Sequence, residues 1–152
     1  MNYRAPLSDM KFMLENVVDY NNLSCTNHFE DTSLETTSAI LNEAAKLAEE
    51  VLSPLQRVGD LNPATLENGV VRTSPGFSEG YKAIAEGGWI GVAANPKYGG
   101  MGLPLTIQTC VNEMVNGACL SLSLNPLMSQ GQIDALQHHA DDKIKSLYLP
   151  KL

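Results

Sequence analysis

Apolar residues recur at three- and four-residue spacing along most of the chain, which predicts helices rather than strands. The clearest case runs from Thr32 to Leu55, where Ile40, Leu41, Ala44, Leu47, Ala48, Val51, Leu52 and Leu55 form one wide apolar stripe. Thr32-x-x-Glu35 fits a capping box at its start. Pro54 should bend or end this helix, because proline has no amide to donate and its ring crowds the preceding turn. Upstream, Leu7, Met10, Met13 and Leu14 share a helical face, as do Val17 and Val18, with Ser8 and Asp9 as candidate caps. Tyr20 to Asp31 is polar and reads as a loop or weak helix, with His28 as a solvated side chain. Phe77 to Glu86 predicts a short helix with Phe77, Tyr81, Ile84 and Ala85 inward, stopped by Gly87-Gly88.

After Pro104, which suits a first helical turn, Ile107, Cys110, Val111, Met114, Val115 and Ala118 form the next stripe. Gly117 and Ala118 leave room there for close backbone approach. Leu120 to Leu127 alternates apolar and polar like a strand, but its place between helices and before Pro126 predicts a helix end and a bend. Ser129 to His139 follows as a further helix with Ile133, Leu136 and Gln137 inward. Ala140-Asp141-Asp142 reads as a capped break, and Lys143 to Leu149 as the last helix, with Ile144, Leu147 and Tyr148 inward. Gly59 to Pro75 is punctuated by Gly, Pro and Asn and predicts a long irregular connection, with a short extended piece at Val70 to Thr73. The expected fold is therefore all-α: an antiparallel helical bundle around a Leu/Val/Ala core, with a long irregular loop at 59–75.

Gly87 to Pro104, GGWIGVAANPKYGGMGLP, is an ordered turn between two helices. It holds the only tryptophan, Trp89, which should be largely buried between the 77–86 and 107–118 helices with its indole N–H on a backbone carbonyl. A phosphate-cradling loop is the competing reading; the glycines do not follow G-x-G-x-x-G, and Ile90 to Ala94 is short for a strand.

Composition narrows the function more than it names one. Ten Lys plus Arg against seventeen Asp plus Glu give a net charge of −7, which opposes nucleic-acid backbones and anionic membrane surfaces. Three cysteines with no C-x-x-C spacing suit buried free thiols in a reducing, cytoplasmic setting. No signal peptide and no run of membrane-spanning length is visible. Glu49-Glu50 is a poor catalytic pair, since adjacent helix positions diverge by about a hundred degrees. Glu113 reads as a surface carboxylate on the flank of its stripe, with a buried acid of raised pKa as the alternative. His138-His139 has no partners at ligand spacing, so no metal site is expected.

The Gly-Trp-x-Gly run followed by Pro-x-Tyr-Gly-Gly-x-Gly and a helix resembles the N-terminal helical domain of the acyl-CoA dehydrogenase family. Ile40 to Gly59 is similar to that family's early helix, and Gly131 to Leu152, ending Tyr-Leu-Pro-Lys-Leu, to its closing segment. Tyr3 to Val18 resembles the extra N-terminal piece of the longer branch, which includes the methylthiopropionyl-CoA dehydrogenases. The resemblance implies an N-terminal extension over 1–31 and the helical domain over 32–152, with the chain stopping before a β-domain.

What the resemblance implies about chemistry is specific. The family oxidises acyl-CoA thioesters to α,β-enoyl thioesters: a glutamate of a C-terminal domain takes the α-proton and a hydride passes to FAD. Flavin and base lie outside the matching domain, so this chain alone is expected to hold no FAD and to be inactive, with no catalytic residue of its own and no assignable cofactor contacts. The family also implies an acyl-CoA substrate, an electron-transfer flavoprotein as acceptor and a homo-oligomer. Carried over by position, Leu122, Asn125, Leu127 and Gln130 are the candidate substrate-binding residues, with Pro126 shaping the turn. Leu122 and Leu127 read equally as ordinary core residues. The alternative for the whole chain is a free-standing, non-catalytic helical module that binds a hydrophobic ligand or a partner protein.

Overall fold

A computed structural model describes residues 3–26, 29 and 32–152, with residue 24 described by its backbone alone. His28 lies outside the described residues. The architecture is all-α, with one small hairpin. Helices α1 (Leu7–Asn16) and α2 (Tyr20–Ser24) precede α3 (Leu34–Lys46), which runs without a break through a π-helical turn (Leu47–Leu52) into α4 (Ser53–Leu61). The hairpin β1 (Thr65–Glu67) and β2 (Val70–Arg72), α5 (Phe77–Glu86), the glycine-rich loop, α6 (Leu105–Ala118), α7 (Leu120–His139) and α8 (Asp142–Tyr148) complete the chain.

The long apolar stripe behaves as expected at its centre: Leu41, Ala44, Ala48 and Leu52 are fully buried. Its start lies one residue later than the capping box predicts. Ser33 is the N-cap and accepts the Thr36 amide, while Thr32 is buried and donates its hydroxyl to the Phe29 carbonyl at 2.6 Å. Pro54 neither bends the chain away nor ends the helix. The preceding turn widens instead, with the Ser53 amide reaching back five residues to the Ala48 carbonyl. A π-turn inserts one residue into the helical register, which accommodates the missing proline amide just beyond it. The inserted register also explains why Val51 is 38 % exposed beside a fully buried Leu52.

The connection at 59–75 is more ordered than the expected irregular loop, and its expected extended piece is present as β2. Helix α4 extends to Leu61, and residues 65–72 form a two-stranded antiparallel hairpin with Leu66 opposite Val71. Asn68 and Gly69 both take positive φ, 51° and 78°, as a two-residue hairpin turn requires. The Asn-Gly pair carries that signal in the sequence.

A correction lies at Leu120–Leu127. The break comes earlier, at Cys119 (φ −156°, ψ 85°), and α7 then runs for 20 residues with Pro126 inside it. In its first turn the Ser123 hydroxyl donates to the Leu120 carbonyl at 2.7 Å. In α8, Asp141 caps by accepting the Ile144 amide, but Leu147 and Tyr148 are about half exposed and Leu149 is the buried anchor. In α1, Met10 and Leu14 are buried, whereas Met13, Val17 and Val18 are exposed, and neither Ser8 nor Asp9 caps. In α5, Ile84 is buried and Ala85 exposed.

The glycine-rich loop is laced to itself. The amides of Met101, Gly102 and Leu103 donate to the carbonyls of Gly91, Ala94 and Val92 at 2.9–3.0 Å, and those of Gly99 and Gly100 to Pro96 and Asn95. A Cβ on Gly100 would collide with the Ala94 carbonyl, so only glycine closes this lattice. These amides are spent inside the loop, which leaves that stretch no phosphate cradle.

Candidate functional site: the cleft between α6 and α7

Helices α6 and α7 are joined by the single residue Cys119, so they run side by side from that corner. Their facing sides, closed at one end by Ile90 to Ala94 of the loop, bound a cleft of about 370 Å3. Leu105, Ile90 and Ile133 give it apolar walls, while Gln108 and Asn112 from α6 meet Gln130 from α7. Asn112 and Gln130 exchange hydrogen bonds, Nδ2 to Oε1 at 2.9 Å and Nε2 to Oδ1 at 3.1 Å. Gln108 leans on the same Gln130 oxygen at 3.5 Å and accepts the Ala93 amide at 3.2 Å. Gln137 accepts the Asn95 amide at 2.9 Å. Four amide side chains thus tie the loop, α6 and α7 together. No charged group is spent on that task; the one charged lining residue, Asp134, is 76 % exposed and lies 3.2 Å from His138 Nδ1.

The four residues carried over by position separate into two groups. Leu127 and Gln130 line this cleft together. Leu127 is 47 % exposed, so it is a surface wall residue and not core. Leu122 does not reach the cleft. It is 6 % exposed and lies against Gly80 of α5, where an added Cβ would stand 2.8 Å from it. Asn125 is exposed and lies outside the cleft lining. Pro126 is buried within α7 and shapes no turn. Gln137 faces inward as its helix pattern predicts, whereas Gln108 and Asn112 carry a weaker signal, a polar pair one helical turn apart beside an apolar stripe.

Beyond the cleft, α7 presents an apolar stripe outward. Leu120, Leu124, Leu127 and Met128 are 47–66 % exposed. Their spacing of four, three and one residues puts them on one side of the helix. Exposed apolar stripes of this length usually face another protein surface.

Trp89 is half-buried, not enclosed between α5 and α6. Its indole edge lies on Gly87, where a Cβ would collide with Nε1, and it borders an open groove with Ile40 and Met101. The glycine at 87 leaves the space in which the ring sits. Among the described residues its N–H makes no hydrogen bond to a backbone carbonyl. Glu49 is no bare surface carboxylate: it accepts the Ala5 amide at 2.9 Å and pairs with Arg4 at 3.2 Å. Glu113 is exposed; burial first, then this carboxylate, push the Cys110 thiol above its ordinary range. His138 turns its Nδ1 onto Asp134 of its own helix. Among the described residues no three His, Cys, Asp or Glu side chains gather to hold a metal. Nor is any helix long and apolar enough to cross a membrane.

Comparison with known proteins gives this geometry its context. Residues 35–152 match the family model described as acyl-CoA dehydrogenase, N-terminal domain. The whole chain is 34 % identical over 152 residues to 3-methylmercaptopropionyl-CoA dehydrogenase of Ruegeria pomeroyi, of which it covers 26 %. It is 26 % identical over 155 residues to butyryl-CoA dehydrogenase of Syntrophomonas wolfei, with 99 % of the chain aligned to 25 % of that protein. A broad-specificity linear acyl-CoA dehydrogenase of Mycobacterium tuberculosis aligns at 27 % identity over 118 residues, 76 % of the chain and 19 % of the relative. The chain spans about a quarter of the length of the first two relatives.

Proposed function

The chain belongs to the acyl-CoA dehydrogenase family as its N-terminal helical domain, and from this premise we propose that it walls one side of the acyl pocket in a flavin-dependent enzyme that oxidises acyl-CoA thioesters to α,β-enoyl thioesters. The cleft between α6 and α7 carries this reading. It combines apolar walls from Leu105 and Leu127 with an uncharged amide pair, Asn112 and Gln130, whose hydrogen bonds are satisfied within the protein. Such a wall accepts a saturated chain by burial, and the one charged lining residue, Asp134, is largely exposed to solvent. In this reading Leu127 and Gln130 touch the chain, Asn112 positions Gln130, and Leu122 and Asn125 act at most from outside the cleft.

Flavin is expected elsewhere in a protein of the relatives' length. The described cavities do not fit FAD as a diphosphate-bearing group: neither the α6–α7 cleft nor the pocket behind the glycine-rich loop is lined by a lysine or arginine. Arg57 and Lys46, which border other clefts, are paired with Asp60 and Glu43. The loop amides that resemble a cradle are spent internally. This chain alone is therefore expected to be colourless and inactive, and no chemical step is assigned to its residues beyond binding and orienting. The exposed stripe on α7 supports a covering surface from the rest of such a protein. An N-terminal extension over 1–31 before a helical domain over 32–152, a cytoplasmic location, a homo-oligomer and an electron-transfer flavoprotein acceptor complete the proposal.

Anaerobic titration of the full-length protein with acyl-CoA thioesters tests it. The expected result is bleaching of an oxidised-flavin spectrum by at least one thioester. A full-length protein without flavin, or with a flavin that no acyl-CoA reduces, contradicts it.

A further inference from the structure

We propose that the segment Tyr3–Pro6 is a releasable strap that sets the corner from which α7 starts, with Tyr3 as the positioning residue. The inference is independent of what the α6–α7 cleft binds. The strap lies ahead of the family match, which begins at residue 35. It is pinned through alternate amides: Tyr3 N–H donates to Ser53 Oγ at 3.1 Å and Ala5 N–H to Glu49 Oε1 at 2.9 Å. The two acceptors stand one turn apart on the helix, where the π-turn hands over to α4. They do for the strap what the edge of a β-sheet does for an added strand.

The side chains divide the work. Arg4 is 86 % exposed, and its pair with Glu49 adds little in water. The Tyr3 ring instead sets its Cε2 edge against Gly117, where a Cβ would stand 2.7 Å from Cε2 and 3.3 Å from Cζ. Gly117 is two residues before Cys119, at which α6 breaks into α7. The ring therefore braces the last turn of α6 against the π-turn, and so fixes the point from which α7 departs. Beside it an open cleft of about 1040 Å3, bordered by Arg57, Ser121 and Leu124, gives the ring somewhere to go without unpacking the core. Two side-chain acceptors and one half-buried ring make a contact that opens locally.

Gly117→Ala, made in the 152-residue chain and again with Tyr3→Ala, tests the inference, with amide exchange as the second readout. Alanine is normally favoured over glycine within a helix. With the strap docked, the added methyl meets the ring. The prediction is a sign reversal: Gly117→Ala lowers the thermal midpoint and removes Ala5 amide protection at least tenfold in the parent, yet raises the midpoint when Tyr3 is Ala. Glu49→Ala should also abolish Ala5 protection and speed exchange of the Ser121–Leu127 amides severalfold, leaving Leu41 and Ala44 unchanged. If Gly117→Ala does not fold in the parent, Tyr3→Ala alone decides by the same Ser121–Leu127 exchange. A raised midpoint in both backgrounds, or unchanged Ser121–Leu127 exchange once the strap is undocked, overturns the proposal.

Discussion

The Tyr20 hydroxyl lies 2.9 Å from the Thr37 hydroxyl, and both side chains are closed to solvent at 0 % and 1 % exposure. This bond joins the short α2 to the first turns of α3 through otherwise apolar surroundings. Removing one partner strands the other in the core, which costs about 1–3 kcal/mol, whereas removing both leaves no orphan. Tyr20→Phe and Thr37→Val are each expected to lower stability in chemical denaturation by about that amount, and the double variant by clearly less than their sum. Additive losses would show that the hydroxyls do not depend on each other.

Trp89 packs through Gly87, so the two positions should fail together. Gly87→Ala is expected to displace the ring, shifting its fluorescence to the red and lowering the thermal midpoint. Trp89→Ala should cost less than the ~3–5 kcal/mol of a fully buried aromatic, because the ring is only half enclosed. An unshifted emission spectrum in Gly87→Ala would show that the indole does not rest there.

The hairpin should melt alone. Leu66, Val70 and Val71 are 49–73 % exposed, so little apolar burial ties the ribbon to the body. Gly69→Ala puts a Cβ on a residue at φ 78° and is expected to cost about 1 kcal/mol locally. Exchange of the Thr65–Arg72 amides should accelerate while the global midpoint barely moves. A drop of many degrees would mean that the ribbon is part of the core.

The thiols should separate by exposure and pH. Cys25 is exposed, Cys110 half-buried and Cys119 buried. Burial, then Glu113, raise the Cys110 pKa, so its thiolate appears only above the ordinary thiol range and its folded form holds the proton longer than the unfolded chain. Stability from this group is fully present below the unfolded thiol pKa and is lost as pH rises through the folded one. A thiol reagent at neutral pH is expected to modify Cys25 first, with Cys110 following as pH rises. Equal rates at Cys25 and Cys110 would contradict that order.

What the sequence showed depended on how local the cause was. Helix α5 starts and stops where its flanking glycines say, because Gly76 and Gly88 take positive φ at its ends. The buried stripe of α6 follows from spacing alone. The hairpin is equally local, written in Asn68-Gly69, and of its two strands the sequence reading expects only the extended piece at Val70 to Thr73. The π-turn before Pro54 and the break at Cys119 were not legible, since each depends on how neighbouring helices force the register. For the same reason Leu127 and Gln130 share a cleft while Leu122 turns into the core: continuing α7 through Pro126 puts them on different faces.

The central claim is that Leu127 and Gln130 face the acyl chain. Its most direct measurement is the acyl-chain-length profile of the full-length protein carrying Leu127→Trp or Gln130→Trp, at unchanged flavin content. A large ring on that wall shortens the cleft, so both variants are expected to lose turnover on the longest accepted thioesters and to keep it on the shortest. A Leu122→Met control in the core should leave the profile as it was. Two tryptophan variants with the parent's profile and full flavin would contradict the account.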